Sequence, residues 1–372
     1  MKNKLHLWIV AFTLISSVFI ENATALSFTG TVSGITVNYE IDLPDGYNQS
    51  TNYYPVIYFL HGKNQTPLSS KTTGKIKQQL DLAVAAGLIE PTILVYADGD
   101  MDSFYADSYD WSRPIETAIV EDLVPYIEAN YRVRTGYENR ALLGFSMGGN
   151  GAAKTLAKFP DTFGCAVSLD GAFLSWPQML ASEPDTTLDM FNNMEAYYTP
   201  YSVWYNTELN SALLDSRLRL VVGLLDGYND NFHTYLDSLG VVHEYELTSC
   251  GHTPMCILQN EQRSSFEFIG EHFSNTNTSP TFISDPFTKP DAIVGVFYNQ
   301  SIAGKASDAD GDTLTFSKVS GPDWLSIYPN GQIKGTPLYR DMGENSWSVM
   351  VEDGNGGQDT ATLIITVQRR RR

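Results

Sequence analysis

The chain has 372 residues, with 24 Lys and Arg against 43 Asp and Glu, a formal net charge of −19 and three cysteines. That acidity argues against nucleic acid and anionic membrane surfaces, which would repel it, and three cysteines exclude a disulfide scaffold. At 42% hydrophobic residues the chain has enough apolar content for real cores, and its length suggests two domains or one large domain plus a module.

The chain opens with basic Lys2 and Lys4, an apolar run from Leu5 to Ile20, and the small-x-small triplet Ala23-Thr24-Ala25. This is the pattern of a secretory signal, with residues 1–25 removed and a secreted or cell-surface product. The polar stretch 274–280, Ser-Asn-Thr-Asn-Thr-Ser-Pro, reads as a linker, and the four arginines of 369–372 as a solvated tail.

Between these, residues 26–273 alternate strand and helix signals. Ile35 to Leu43 alternates apolar and polar residues, as a half-exposed strand does. Continuous apolar runs follow at Pro55 to Leu60, Thr92 to Tyr96, Ala141 to Phe145, Cys165 to Leu169 and Leu218 to Val222, the signature of buried parallel strands. Helical spacing appears at Leu80, Val84 and Leu88, at Ile115, Ile119, Leu123 and Ile127, and over Asn150 to Lys158. Repeated strand–helix units predict an α/β fold with a mostly parallel sheet, whose chemistry sits at the carboxyl ends of the strands. Residues 281–368 differ. Short alternating runs are punctuated by Gly321-Pro322, Asn330-Gly331 and Gly335-Thr336-Pro337, which predicts a small all-β sandwich.

Gly144-Phe145-Ser146-Met147-Gly148 is a G-x-S-x-G pentapeptide placed directly after a predicted strand and before a predicted helix. A nucleophile elbow holds its serine in a strained backbone conformation that only small flanking residues tolerate. Ser146 is therefore the candidate nucleophile, with the Met147 amide as an oxyanion donor. His252, after the strand pattern His243 to Leu247, is the candidate base, while His233 and His243 read as structural and His272 as surface. The first carboxylate after the strand Leu218 to Val222 is Asp226, the candidate acid; Asp230 on the same loop is the alternative. His61-Gly62 ends the strand before the first helix, so the Gly62 or Lys63 amide is the expected second oxyanion donor and His61 a residue that orients the loop.

These motifs, with Tyr131-Arg132-Val133, Phe159-Pro160-Asp161-Thr162-Phe163, Gly223-Leu224-Leu225-Asp226 and Gly251-His252, resemble the esterase-D-like group of α/β-hydrolases. That group includes feruloyl and acetylxylan esterases, S-formylglutathione hydrolases and mycolyltransferases. The resemblance covers Leu26 to Phe273 and implies an α/β-hydrolase fold and a Ser146–His252–Asp226 triad acting on esters. It departs after the histidine, where Thr253-Pro254-Met255-Cys256 stands in place of the tryptophan of many members. The second part resembles cadherin-like or immunoglobulin-like modules through Ala306 to Leu314, Gly321 to Leu325 and Val351 to Asp353. Within it, Asp308, Asp310 and Asp312 form either a calcium site or an acidic turn.

Tyr105 and Trp111, and Trp176 in a second aromatic segment, either present stacking surfaces for sugar or phenolic groups or pack the insertion's own small core. Cys250 and Cys256 bracket His252, and in an exported protein a bridge between them would tether its loop; Cys165 reads as a buried thiol. The expected function is a secreted, monomeric serine carboxylic-ester hydrolase that needs no cofactor. Its expected substrates are acetyl, feruloyl or similar esters of plant or algal polysaccharides. The alternatives are an acyltransferase of the mycolyltransferase type, a polyester hydrolase and a non-catalytic adhesin.

Overall fold

The computed structural model describes residues 26–50, 52–223, 227–273, 279–308, 313–354 and 356–369. The predicted signal segment 1–25, most of the linker and the last three arginines lie outside the described residues.

The first part is built on an eight-stranded sheet. Its strands are β1 (Leu26–Thr29), β2 (Thr36–Asp42), β3 (Val56–Leu60), β4 (Ile93–Ala97), β5 (Arg140–Phe145), β6 (Cys165–Leu169), β7 (Leu218–Val222) and β8 (Glu244–Leu247), in the order β1-β2-β4-β3-β5-β6-β7-β8. β1 and β2 run antiparallel at one edge, and β3 to β8 are mutually parallel. β3, β4, β6 and β7 are buried at all five positions, because helices cover both sheet faces. Their side chains alternate between two cores. Val56, Tyr58 and Leu60 pack with the helices Met147–Lys158 and Val203–Asn210, whereas Ile57 and Phe59 pack with Ile76–Ala85 and Ser264–His272.

Register decides where the chemistry lies. Leu60 pairs with Gly144, Phe145 with Leu169, Leu169 with Val221, and Val222 with Leu247. The residues that follow β3, β5, β6, β7 and β8 therefore emerge along one edge of the sheet, whatever their distance in sequence.

Two helices differ from the sequence expectation. The helix after the pentapeptide starts at Met147, three residues before the predicted Asn150, because the turn at Ser146 is sharp enough to enter it at once. The predicted helix through Leu88 ends at Ala85, with Gly87 at φ 74° providing the left-handed stop. The third predicted helix is continuous from Ile115 to Asn130, but its turns Ala118–Leu123 are π-helical, just ahead of Pro125, which has no N–H to give an α-helical bond.

The second part is all β. The antiparallel strands Thr315–Ser320, Gly343–Glu352 and Gln358–Gln368, with the short strands Phe287–Thr288 and Ala292–Ile293 parallel to the last of them, form its larger sheet, and Tyr298–Ser301, Leu325–Ile327 and Gln332–Gly335 a smaller antiparallel one. Trp347, 1% exposed, fills the core, stacked edge-on against Trp324 and donating from Nε1 to the Pro322 carbonyl at 2.9 Å. Among the described residues, no helix is long and apolar enough to cross a membrane.

Candidate active site

Ser146 stands between β5 and the helix Met147–Lys158 at φ 56° and ψ −117°, outside the regions an L-residue ordinarily occupies. The glycines on either side explain how the turn is tolerated. A Cβ on Gly144 would lie 1.9 Å from the Gly148 carbonyl oxygen, and one on Gly148 would lie 1.9 Å from that of Leu60. Backbone passes where side chains would be, so the pentapeptide needs glycine at both positions. The turn is tied to its neighbours by Ser146 N–H to the Leu169 carbonyl, 3.0 Å, and Ala172 N–H to the Ser146 carbonyl, 3.0 Å.

His252 Nε2 lies 2.9 Å from Ser146 Oγ, and its Nδ1 lies 2.8 Å from Asp170 Oδ2. The carboxylate accepts from Nδ1–H, which leaves the Nε2 lone pair facing the serine hydroxyl. In this tautomer His252 is placed to take the hydroxyl proton. The ring also packs on Phe145 with centroids 4.6 Å apart. The His252 side chain is half exposed, while Asp170 is almost wholly buried.

Asp170 was not among the residues singled out from sequence. It follows β6 directly and takes φ 50°, a left-handed conformation that Asp tolerates better than most residues. Its second oxygen, Oδ1, accepts from Gly223 N–H at 2.9 Å, just after β7. Asn229, fully buried, then grips the adjacent Gly171 from both sides: Oδ1 accepts from its N–H at 3.1 Å and Nδ2 donates to its carbonyl at 3.0 Å. The rule that picked Asp226, the first carboxylate after a buried strand, finds Asp170 when applied one strand earlier. Asp226 itself lies outside the described residues. Asp230, the alternative acid, instead accepts a hydrogen bond from the Tyr245 hydroxyl, four residues into the helix Gly227–Leu239.

The loop after β3 lies against the serine. A Cβ on Gly62 would come 3.4 Å from Ser146 Cβ. The expectation for its two amides separates here. Gly62 N–H donates to Gln65 Oε1 at 3.1 Å, whereas the Lys63 amide has no acceptor among the described residues and Met147 is the first helical residue, whose amide has no intrahelical partner. His61 is buried and orients this loop, as expected. Its Nε2 accepts from Gly99 N–H at 3.0 Å, so Nδ1 carries the proton and donates to the Gly62 carbonyl at 3.0 Å. Lys63 Nζ pairs with Glu183, linking the loop to the helical segment beyond β6.

Of the three aromatics expected at a substrate surface, Tyr105 is corrected. It is 1% exposed, and its hydroxyl donates to the His61 carbonyl at 2.9 Å. Burial pushes its phenol well above the ordinary value, so it remains a neutral donor under the loop after β3. Trp176 is half-buried against Tyr198, with centroids 5.2 Å apart. Phe191 packs edge-on against Tyr198 and tilted against Tyr201, and these rings join the same core as Val56, Tyr58 and Leu60 of β3 rather than a separate one. Trp111 is exposed.

Cys250 and Cys256 form a disulfide around His252, and Cys165 is a buried free thiol whose pKa burial pushes up. Of the acidic turn considered for calcium, Asp308 is described, and Asp310 and Asp312 lie outside the described residues.

The fold is that of an α/β-hydrolase, with a serine, a histidine and a carboxylate in hydrogen-bonded series at the strand ends. Comparison with known proteins narrows this further. Residues 32–232 match the family described as "Putative esterase", and the chain belongs to this esterase family. Residues 277–366 match the bacterial Ig domain. An esterase of Mycobacterium tuberculosis is 38% identical over 132 residues, 35% of this chain and 28% of the relative. An endo-1,4-beta-xylanase/feruloyl esterase of Xylanibacter ruminicola is 29% identical over 149 residues, 38% of this chain and 20% of the relative. The matches thus span less than a third of either relative's length. Among solved structures, a ferulic acid esterase aligns with a TM-score of 0.56 at 23% identity, covering 67% of this chain and 98% of that one. The Staphylococcus aureus serine hydrolase FphF aligns at 0.57 and 18% identity, covering 66% and 97%. At these identities the structures support the fold.

Proposed function

We propose that this protein is a serine carboxylic-ester hydrolase in which Ser146 is the nucleophile, His252 the general base and Asp170 the acid that orients it. The observation that carries the reading is the unbroken series Ser146 Oγ, His252 Nε2, His252 Nδ1 and Asp170 Oδ2, with contacts of 2.9 and 2.8 Å.

His252 removes the hydroxyl proton as Ser146 Oγ attacks the ester carbonyl. The buried Asp170 stabilises the imidazolium that forms. The oxygen of the tetrahedral intermediate takes hydrogen bonds from the Met147 and Lys63 amides, fixed donors that need no reorganisation. Collapse expels the alcohol with the proton from His252 and leaves an acyl-serine. Water, deprotonated by the same histidine, then releases the acid and restores Ser146. Every step uses groups of this chain and water.

The substrate class we propose is acetyl or feruloyl esters of polysaccharides outside the cell. It is supported by the xylanase/feruloyl esterase relative, by the signal-like start of the sequence and by the appended bacterial Ig domain.

The test is turnover of p-nitrophenyl acetate, p-nitrophenyl butyrate and methyl ferulate by the protein and by Ser146→Ala. The expected result is hydrolysis by the parent and loss of about 10³-fold or more in the variant. No turnover of any ester by a folded parent would overturn the activity. Turnover that survives Ser146→Ala would overturn the nucleophile.

A further inference from the structure

Away from Ser146, the helix Gly227–Leu239 and the segment leading into β8 bring together His233, Asp237 and His243. One ligand atom from each lies within 4.8 Å of the other two. We propose that these three side chains form a structural site for a divalent first-row transition ion, of which zinc is the best fit.

The donor chemistry suits such an ion. Two imidazoles and one carboxylate, with water completing the shell, is a nitrogen-rich set that favours zinc and its neighbours over calcium or magnesium. The geometry brings the three donors together. His233 and Asp237 are one helical turn apart and share a face. His233 Nδ1 and His243 Nε2 already stand 2.8 Å apart. Two nitrogens bound tetrahedrally at about 2.0–2.1 Å sit about 3.3 Å apart, so the rings must part by about half an ångström and turn until the two nitrogens, which now face each other, converge on one ion.

The surroundings orient the ligands as metal sites do. His243 Nδ1 lies 2.8 Å from the Val241 carbonyl, which fixes the proton there and leaves Nε2 bare. His233 is held by a parallel stack on Tyr245, centroids 3.9 Å apart and planes 7° from parallel. Asp237 Oδ2 lies 3.6 Å from His233 Nε2, the ring nitrogen that does not face His243, and is exposed, so a rotamer change must bring it round to the Nδ1 side to complete the set.

The site gives the ion a role. It joins the helix that carries Asn229, which grips the peptide next to Asp170, to the strand that runs into the His252 loop. A bound ion would tie those two elements together and stabilise the fold from the side that holds acid and base.

The experiment uses tag-free protein, stripped with chelator, and zinc chloride as the probe. Calorimetry should show one ion bound per chain, and zinc at 100-fold above its dissociation constant should raise Tm by about 5 °C. Cobalt(II) should give the visible absorption of a low-symmetry, nitrogen-ligated ion. His233→Ala should abolish binding while leaving the metal-free Tm within about 3 °C of the parent. Should His243→Ala fail to fold, His243→Gln, which keeps a polar side chain of similar reach, serves instead. No stoichiometric binding by the parent, or binding that survives His233→Ala, would overturn the proposal and leave a plain imidazole–imidazole hydrogen bond.

Discussion

Asp170 Oδ2 accepts the Nδ1 proton of His252 at 2.8 Å, although 82 residues separate them in sequence. The contact exists because β6 and β8 flank β7 in one parallel sheet, and their carboxyl ends open on the same edge. Gly223, the residue that leaves β7, donates to the same carboxylate, so all three strands meet at Asp170.

This arrangement makes the acid testable by substitution. Asp170→Asn should lower kcat by about 10³–10⁴-fold with little change in KM, since an amide in place of the carboxylate favours the wrong histidine tautomer. Asp226→Asn and Asp230→Asn should each stay within about 3-fold of the parent. A collapse of kcat in Asp226→Asn with Asp170→Asn active would move the acid to the loop after β7.

Tyr105 is buried beneath the loop after β3 and holds the His61 carbonyl there. Tyr105→Phe removes one donor from the His61 carbonyl and leaves that oxygen buried. A lost buried partner costs about 1–3 kcal/mol. The expected outcome is a fall in Tm and a drop in kcat of about 10-fold, with KM for methyl ferulate nearly unchanged. A rise in KM alone would return Tyr105 to the substrate surface.

The Cys250–Cys256 bridge closes a short loop that contains His252. Over a separation of six residues the chain-entropy relation gives about 2 kcal/mol of stabilisation. Paired Cys250→Ser and Cys256→Ser should lower stability by that order in urea unfolding. They should also lower kcat, because the loop that carries His252 then loses the cross-link between its two ends. Unchanged stability and kcat would show that the local fold holds His252 without the bridge.

Asp122 provides a pH-dependent contribution remote from the site. It accepts from the amides of Thr31 and Val32 at 2.8 and 2.9 Å through one oxygen and of Ser33 at 2.9 Å through the other, pinning the turn between β1 and β2 to the π-helical segment. Burial raises the pKa of its carboxyl, but the hydrogen bonds from Ser33, Val32 and Thr31 outweigh it and hold the group below the ordinary carboxylate value. A pKa lower in the folded than in the unfolded chain stabilises fully above the unfolded value near ~4 and is lost as pH falls through the folded one. Asp122→Asn should therefore cost about 1–3 kcal/mol at pH 7, with the difference from the parent closing at strongly acid pH. A deficit that grows on acidification would contradict the assignment.

Much of this molecule is legible in the sequence because its requirements are local. Five buried apolar runs announced the parallel core strands within a residue of their ends. Gly144 and Gly148 marked Ser146, because the elbow's backbone crowding is resolved within the pentapeptide. His252 followed from chain order. The aromatic segments were less legible. Tyr105 and Trp111 stand six residues apart on one loop, yet one is buried under the loop after β3 and the other exposed, and nothing in their spacing distinguishes them.

What the sequence by itself determined, then, is the elbow, the histidine that comes to face it and the alternation of strand and helix, each read from sterics, periodicity or chain order. Only the tertiary structure decided which carboxylate reaches His252, which amide of the Gly62-Lys63 pair is spent on Gln65, and that His233 and His243 share a hydrogen bond. Those outcomes depend on strand order, register and the reach of side chains across neighbouring loops, and such long-range contacts leave no mark in the spacing of residues along the chain.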